Sequence, residues 1–465
     1  MRRVSAEGLR LCEEKMRAAG VPDVANTTFA HYYRQLEEGA SGLIPEAEIE
    51  PVESVADADE LPEPPDGARE ALDRTVVIKL NGGLGTSMGM TEPKSLLPVK
   101  DGLSFLDVIA RQVLELRQRF DARVPLVLMD SFATREESLA ALAEYDELAG
   151  AIPLDFVQNK EPKLRVEDLL PVQWPANPEL EWCPPGHGDI YTALVTSGML
   201  ESLLEHGYEY AFVSNSDNLG AVLDQRILAW FAGERIPFLM EVADRTEADR
   251  KGGHLAQRPG GRLLLREIAQ TPEDDLDAFQ DVSRHRYFNT NSLWVGLRAL
   301  AEALRERDNV LGLPMIVNRK NVDPTDPSSP EVFQLETAMG AAIEVFEGAR
   351  ALRVARSRFA PVKTTNDLLV LRSDSFVLTE DEHVELAPER EGGPPLVDLD
   401  PAHYKLLSGF EARFPAGPPS LLRARRFAVR GDVVFGADVV VSGDVEVRAA
   451  ADEPVHIADG MVLEG

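Results

Sequence analysis

The sequence predicts an α/β protein with a mostly parallel or mixed central sheet covered by helices, a helical segment before it and a small β-rich domain after it. Three observations predict this. From Thr75 onward, short apolar runs alternate with stretches of helical period. Residues 5–40 carry apolar and charged positions at helical spacing. From about Arg425 the text changes to short β runs punctuated by glycine.

A stretch rich in Pro, Glu and Asp, about 45–70, reads as a solvated linker wrapping onto the segment after it. TVVIKL (75–80) is a short buried strand that runs into a glycine-rich loop. FLDVIARQVLELRQ (105–118) has helical period and VPLVLMD (124–130) is a strand. Thr134 opens a helix, with Glu137 at the capping-box position. LDFVQ (154–158) is a strand, 189–205 is helical, and YEYAFVSNSD (208–217) is a strand ending in polar residues. FLMEVAD (238–244) and RLLLREIA (262–269) are strands again. At the end, Gly-Asp-Val recurs at 431 and 443, with Gly436 between, a spacing that fits β-helix coils or an ordinary β-meander. The expected division is 1–70, 71–374 and 375–465.

Composition bounds the partners. A chain of 465 residues buries a substantial core without disulfide staples. The formal net charge of −31 argues against nucleic-acid binding through a basic surface. It reads as solubility, or as salt adaptation, and it makes any phosphate site a local exception built from Lys, Arg and backbone N–H groups. Cys12 and Cys183 lie far apart, with no disulfide framework or zinc motif, which suits a reducing cytosol. The N-terminus, MRRVSAEGLRLCEEKM, lacks the apolar core of a signal peptide, and no apolar run is long enough to span a bilayer. A cytoplasmic protein without membrane or nucleic-acid partners is the expectation.

The loop runs Leu80-Asn81-Gly82-Gly83-Leu84-Gly85-Thr86-Ser87-Met88-Gly89, with Pro93-Lys94 following. Glycine lets the backbone adopt positive φ and bring its N–H groups close to an anion, and Lys94 adds a mobile point charge. The dinucleotide fingerprint fails, because after Gly83-x-Gly85 it needs glycine at Met88. The Walker A pattern fails as well, since Lys94-Ser95 follows Pro93. A purely structural strand-to-helix turn is the bland alternative.

Other polar motifs also follow strands, where α/β sheets place ligands. Asp217, in Asn215-Ser216-Asp217-Asn218, suits a hard divalent cation, with a helix N-cap as the lesser alternative. His187, flanked by Gly186 and Gly188, is a solvated turn residue or a phosphate donor. Gln158 ends a strand, where an amide can read a base edge. Lys363, in Arg358-Phe-Ala-Pro-Val-Lys363, is solvated surface or a second phosphate contact.

The segment KLNGGLGTSMG…PKSLLPV resembles the signature of the eukaryotic-type UTP–glucose-1-phosphate uridylyltransferase (UDP-glucose pyrophosphorylase) family. The resemblance continues in order through VPLVLMDSF (124–132), WCPPGHGDIY (182–191), FVSNSDNLGA (212–221), KGG (251–253), EIAQ (267–270), FNTNSLWV (288–295), QLETAMGAAI (334–343) and SRFAPVKTTNDLL (357–369). It implies a Rossmann-like, GT-A-like nucleotidyltransferase domain with a small left-handed β-helix-like domain behind it. The implied reaction is UTP + glucose 1-phosphate ⇌ UDP-glucose + pyrophosphate, with Mg2+ on Asp217 and with Lys94 and Lys363 on the phosphates. The implied UTP site comprises Leu80, Asn81, Gly82, Gly83, Gly85, Thr86, Lys94, Gln158, Gly186 and Lys363. Within it, backbone of Leu80–Gly83 and Gln158 hold uracil, and backbone of Gly85–Thr86 faces phosphate. The implied glucose 1-phosphate site comprises His187, Asn215, Gly252, Gly253, Glu267, Asn289 and Asn291. In the resemblance Lys160-Glu161 departs from a more basic, aromatic pair.

Two alternatives accompany it. The nearer is a different sugar specificity, as in a UDP-sugar or UDP-N-acetylhexosamine pyrophosphorylase; the latter share the fold but resemble a shorter AGGxGTRLG loop, and the SMG ending and the APVK motif favour the glucose enzyme. A non-catalytic nucleotide-sugar-binding protein is opposed by the joint presence of Lys94, Asp217 and Lys363. The resemblance also implies a possible homo-oligomer through the C-terminal domain, which here looks short.

Overall fold

A computed structural model describes residues 2–64, 68–450 and 453–465. In chain order its central sheet is built on β1 (Ala56–Asp57), β2 (Thr75–Asn81), β3 (Leu126–Asp130), β4 (Asp155–Val157), β5 (Tyr210–Asn215), β6 (Phe238–Asp244), β7 (Tyr287–Gly296) and β8 (Arg350–Arg353). In space they run β1-β8-β6-β7-β5-β2-β3-β4. Along this path only β7 is antiparallel to its neighbours, so the sheet is mixed with one reversed strand. β2, β3 and β6 are near-continuous apolar runs because both of their faces are covered.

Helices around the sheet and the segments at its ligand edge include α1 (Arg2–Ala18), α2 (Asp23–Glu37), α3 (Phe105–Phe120) and α4 (Thr365–Arg372). Ser104 and Asp107 form a reciprocal capping box that starts α3, close to the predicted 105–118. Phe105, Leu106, Val108, Ile109 and Val113 supply its buried face. From α1 and α2, Cys12, Met16, Phe29 and Tyr33 pack on Leu164 and Leu335.

Three local expectations give way. Thr134 begins the helix Arg135–Leu142 but forms no capping box. Its hydroxyl instead accepts the Ser131 N–H at 2.9 Å and faces the Asp130 carboxylate at 3.3 Å. The helical stretch 189–205 is two short helices, Ile190–Thr196 and Met199–Glu205, separated at Gly198, whose φ of +75° interrupts the helical backbone. The 45–70 stretch does wrap onto the sheet, but it is more than a solvated linker. Glu50–Pro51 pairs with His254–Gln257, and β1 forms the outer edge beside β8. Glu46 reaches Arg266, whose side chain is wholly buried, at 2.5 Å. Composition shows the acid there but not the buried cation that needs it.

The C-terminal strands β9 (Leu396–Leu399), β10 (Ser420–Arg430), β11 (Val440–Arg448) and β12 (Val462–Glu464) pair in that order, all parallel. Val433–Phe435 and Val455–Ile457 form a second parallel pair. Parallel pairing of strands this close in sequence is the stacking of coils, whereas a meander would pair antiparallel. Gly431 takes φ of +83° at the turn after β10, and Gly443 takes +78° within β11, beside an irregularity in its register with β10. The coils' Phe427 and Phe435, with Tyr404 and Phe410, join one continuous core with Phe105 of α3 and Leu368 of α4.

Candidate active site

The register places the carboxyl ends of four parallel strands side by side: Asn215 opposite Leu80, Asn81 opposite Asp130, and Asp130 opposite Val157. The glycine loop leaves β2 at this edge. The Asn81 side chain points back into the protein, donating to Asp130 at 2.7 Å and to Ser138 at 2.8 Å. It anchors the loop and leaves backbone for ligand. Burial pushes the Asp130 carboxyl up to about 6, and its Oδ2 has no hydrogen-bond partner. The Asp130 carbonyl accepts the Gln158 N–H at 2.8 Å. A Cβ on Gly82 would lie 3.2 Å from the Gln158 amide nitrogen, so the loop's start and the predicted base reader are in contact. Gly85 is left-handed, at φ +64°, and opens a tight turn over Thr86–Met88. The Lys94 N–H then closes the loop on the Gly83 carbonyl at 3.0 Å.

Lys94 Nζ donates to Asp217 Oδ2 at 2.6 Å. The other oxygen, Asp217 Oδ1, is buried and without a partner. Magnesium takes one or two carboxylates together with phosphate oxygens and water. One carboxylate with an unclaimed oxygen fits that chemistry. No group of three His, Cys, Asp or Glu that would cage an ion unaided occurs among the described residues. Asp217 does not cap a helix, since no helix follows it directly; the helix-cap alternative falls.

Asp217 and Asn218 are bonded to the segment that carries Lys363. Val362 N–H donates to the Asp217 carbonyl at 3.2 Å, and Ala360 N–H donates to Asn218 Oδ1 at 3.0 Å. Lys363 itself is exposed, with Nζ 5.8 Å from the Phe359 ring centre.

Gly186 and Gly188 back onto the end of the strand Glu331–Thr337 so closely that a Cβ on either would collide with Thr337. This contact aims His187, whose Nδ1 accepts the Met339 N–H at 3.0 Å. Burial holds its pKa down to about 4. His187 is therefore a neutral imidazole whose remaining ring nitrogen, Nε2, carries the proton and can donate it in a hydrogen bond.

Of the predicted sugar residues, Gly252, Gly253, Glu267, Asn289 and Asn291 cluster on the β7 side, while Asn215 ends β5 opposite Leu80 and His187 stands apart from them in sequence. Asn289 N–H donates to the Gly253 carbonyl at 3.0 Å, and a Cβ on Gly253 would lie 2.5 Å from the Glu267 carboxylate. Asn289 and Asn291 hold each other through bonds of 2.8 and 2.9 Å, with Asn291 at φ +58°. Burial raises the Glu267 pKa, and the nearby Lys363 ammonium lowers it, so Lys363 is electrostatically in reach of this cluster. Gly252 adjoins it but packs against nothing closer than the Asp249 carbonyl.

Sequence reasoning missed a set of buried charges beneath the site. Lys79 lies in β2, where burial pushes its pKa down to about 7; its Nζ donates to Ser214 and to the Ala221 carbonyl, each at 2.8 Å. Glu241, in β6, pairs with Arg358 at 2.6 Å. The available signal was a charged residue inside each of two apolar runs, TVVIKL and FLMEVAD.

Residues 26–442 match the family described as UTP–glucose-1-phosphate uridylyltransferase. A Schizosaccharomyces pombe protein named probable UTP–glucose-1-phosphate uridylyltransferase is 40% identical over 443 residues, covering 94% of this chain and 86% of its own length. The Solanum tuberosum UTP–glucose-1-phosphate uridylyltransferase is 42% identical over 405 residues, covering 87% and 83%. Among solved structures, a variant UDP-glucose pyrophosphorylase from Leishmania major in complex with UDP-glucose superposes with a TM-score of 0.93 at 46% identity, covering 98% of both chains.

Proposed function

The chain belongs to the UTP–glucose-1-phosphate uridylyltransferase family, and from that premise we propose which of its residues transfer uridylyl and how. The reaction is transfer of UMP from UTP to glucose 1-phosphate, giving UDP-glucose and pyrophosphate. A phosphate oxygen of glucose 1-phosphate attacks the α-phosphorus of UTP in line; the bond to the β-phosphate oxygen breaks and pyrophosphate leaves. The nucleophile is already an anion, so no general base is required. The task is to bring anions together and to balance charge as it shifts onto pyrophosphate.

The observation that carries the residue assignment is the Lys94–Asp217 contact at the mouth of the glycine loop, with one Asp217 oxygen unclaimed. Lys94 and Lys363 supply positive charge to the phosphates. Backbone of Leu80–Gly83 and the Gln158 amide hold uracil, backbone of Gly85–Thr86 faces phosphate, and Gly186 belongs to the UTP site, next to His187 of the sugar-phosphate site. His187 donates through Nε2 to the sugar phosphate. Glu267, Asn289, Asn291, Asn215 and the Gly252–Gly253 backbone read sugar hydroxyls, because a buried polar group left unpaired rejects the wrong sugar. The family's enzymes are metal-dependent; magnesium is our assignment, held by Asp217, where it would neutralise phosphate charge.

No helix among the described residues is long and apolar enough to cross a membrane, and cytoplasmic operation is our reading. Exposed Leu396, Met461 and Val462 support self-association through the C-terminal coils, which light scattering of the purified protein tests; a monomer at every concentration would end that reading. The residue assignment is tested by Lys363→Ala, expected to lower kcat about 100-fold or more with the fold intact. Near-normal turnover would remove Lys363 from the chemistry. Asp217→Asn is expected to abolish the ordinary magnesium dependence, and an unchanged dependence would move the metal elsewhere.

A further inference from the structure

Residues 358–363 form a strap across the end of β5, and Lys363 lies at its far end. We propose that the buried Glu241–Arg358 pair is the positioning device for this strap: it fixes where Lys363 stands relative to Asp217 and so acts on the transfer step through Lys363. The inference rests on the reading of Lys363 as a phosphate contact.

The strap is clamped at both ends and in the middle. At its start, Arg358 Nε donates to Glu241 Oε2 at 2.9 Å and Nη2 donates to Glu241 Oε1 at 2.6 Å, a two-pronged fork. Nη2 also donates to the Val222 carbonyl at 2.9 Å, tying the strap to the loop after Asp217. Glu241 is wholly buried in β6, and Trp294 Nε1 donates to its Oε1 at 2.9 Å, so the carboxylate cannot swing. In the middle, Asn218 grips both edges of the strap, donating to the Arg358 carbonyl at 3.1 Å and accepting the Ala360 N–H at 3.0 Å. At its end, the Lys363 and Thr364 N–H groups donate to Asp367 Oδ2 at 2.9 and 2.8 Å, at the start of α4. Gly220 lets the strap pass, because a Cβ there would run into the Ser357 carbonyl.

Stability alone does not call for such a pair, since apolar residues of similar volume commonly stabilise as well or better. A forked Arg–carboxylate contact does supply something they lack: it fixes direction as well as distance. Lys79, whose ammonium burial disfavours, is also repelled by Arg358 and attracted to Glu241 when it is protonated, so Glu241 serves both groups. The site's metal ligand and its exposed lysine are thus held in one bonded frame whose foundation is Glu241.

The test is steady-state kinetics on the full chain for Arg358→Gln, Gly220→Ala, Lys363→Ala and the double variant Arg358→Gln/Lys363→Ala. Misplacing a reacting partner by about 1 Å costs about 100-fold, so Arg358→Gln and Gly220→Ala are each expected to lower kcat by about that factor. KM for UTP is expected to rise by less than kcat falls, because the charge that Lys363 faces grows as pyrophosphate departs. The double variant is expected to be no slower than Lys363→Ala alone, and Arg358→Lys, which keeps the charge but not the fork, is expected to recover part of kcat. If the two losses multiply, Arg358 does not act through Lys363 and the proposal falls while the role of Lys363 stands. If Lys363→Ala is itself near normal, the phosphate-contact reading falls and the inference with it. Should Arg358→Gln fail to fold, Gly220→Ala decides, because it moves the strap without removing a charge; normal kcat in that variant overturns the proposal.

Discussion

His187 shows how much one hydrogen bond settles. Because Nδ1 accepts the Met339 N–H and burial holds the pKa near 4, the ring is a neutral donor throughout the neutral range. An imidazole titrating in its ordinary range would change charge beside a phosphate whenever pH moved through it. NMR titration should therefore find no His187 inflection between about pH 5.5 and 8. The folded pKa lies below the usual 6.5, so the unfolded chain takes the proton first. His187 thus favours the folded state above about 6.5, and this contribution is lost as pH falls toward about 4. Replacing the ring by His187→Ala should raise KM for glucose 1-phosphate about tenfold, the value of one hydrogen bond to a charged group. An unchanged KM would show that Nε2 does not face the sugar phosphate.

Elements explain why the site was only partly legible. The glycine loop, Asp217 and Lys363 each stand at strand ends or in a dense motif, so residue type and position made them candidates, and the resemblance of the surrounding motifs supplied their proposed roles. Lys79 and Glu241 did not stand out, because a charge inside an apolar strand acquires meaning only from the strand beside it, and pairing is a long-range fact. The 45–70 stretch failed for the same reason: its acidity looked solvated until Arg266 supplied a buried partner. Removing that partner tests the point. Glu46→Ala leaves the Arg266 guanidinium with only Asp275, at 3.3 Å, and should cost about 3 kcal/mol in urea unfolding with kcat unchanged. The loop itself is tested by Gly85→Ala. The new methyl would sit at φ +64° and 2.9 Å from Met90 Sδ, with the Lys94 stem close behind. A rise of about tenfold in KM for UTP is expected, from strain of about 1–2 kcal/mol at a left-handed residue. Wild-type kinetics would mean that the loop's shape is not what binds phosphate.

At the scale of the whole molecule, charge and core pull in different directions. A net charge of −31 makes the folded state repel itself, and salt relieves the repulsion. Raising ionic strength from about 0.1 to 1 M shortens the screening length from about 10 to 3 Å, so Tm should rise. A Tm that falls or stays flat would show that favourable surface ion pairs outweigh the repulsion. The core, by contrast, is shared. Phe427 and Phe435 of the C-terminal coils lie in one cluster with Phe105, Leu106 and Leu368. The proposed boundary at 374/375 is then one of architecture, and heating should give a single cooperative transition across it.

If Lys94 and Asp217 hold the phosphates and the metal as proposed, their contact would also select which guest the site admits. A cation and an anion that neutralise each other at 2.6 Å present a closed account to any single visitor. On the proposed assignment, a bare divalent ion at Asp217 Oδ1 would find the Lys94 ammonium still held on Oδ2, and a bare triphosphate at Lys94 would have to displace the carboxylate. A guest carrying both signs would offer each member of the pair a new partner at once. The resting contact would then favour the metal–nucleotide complex over either component alone.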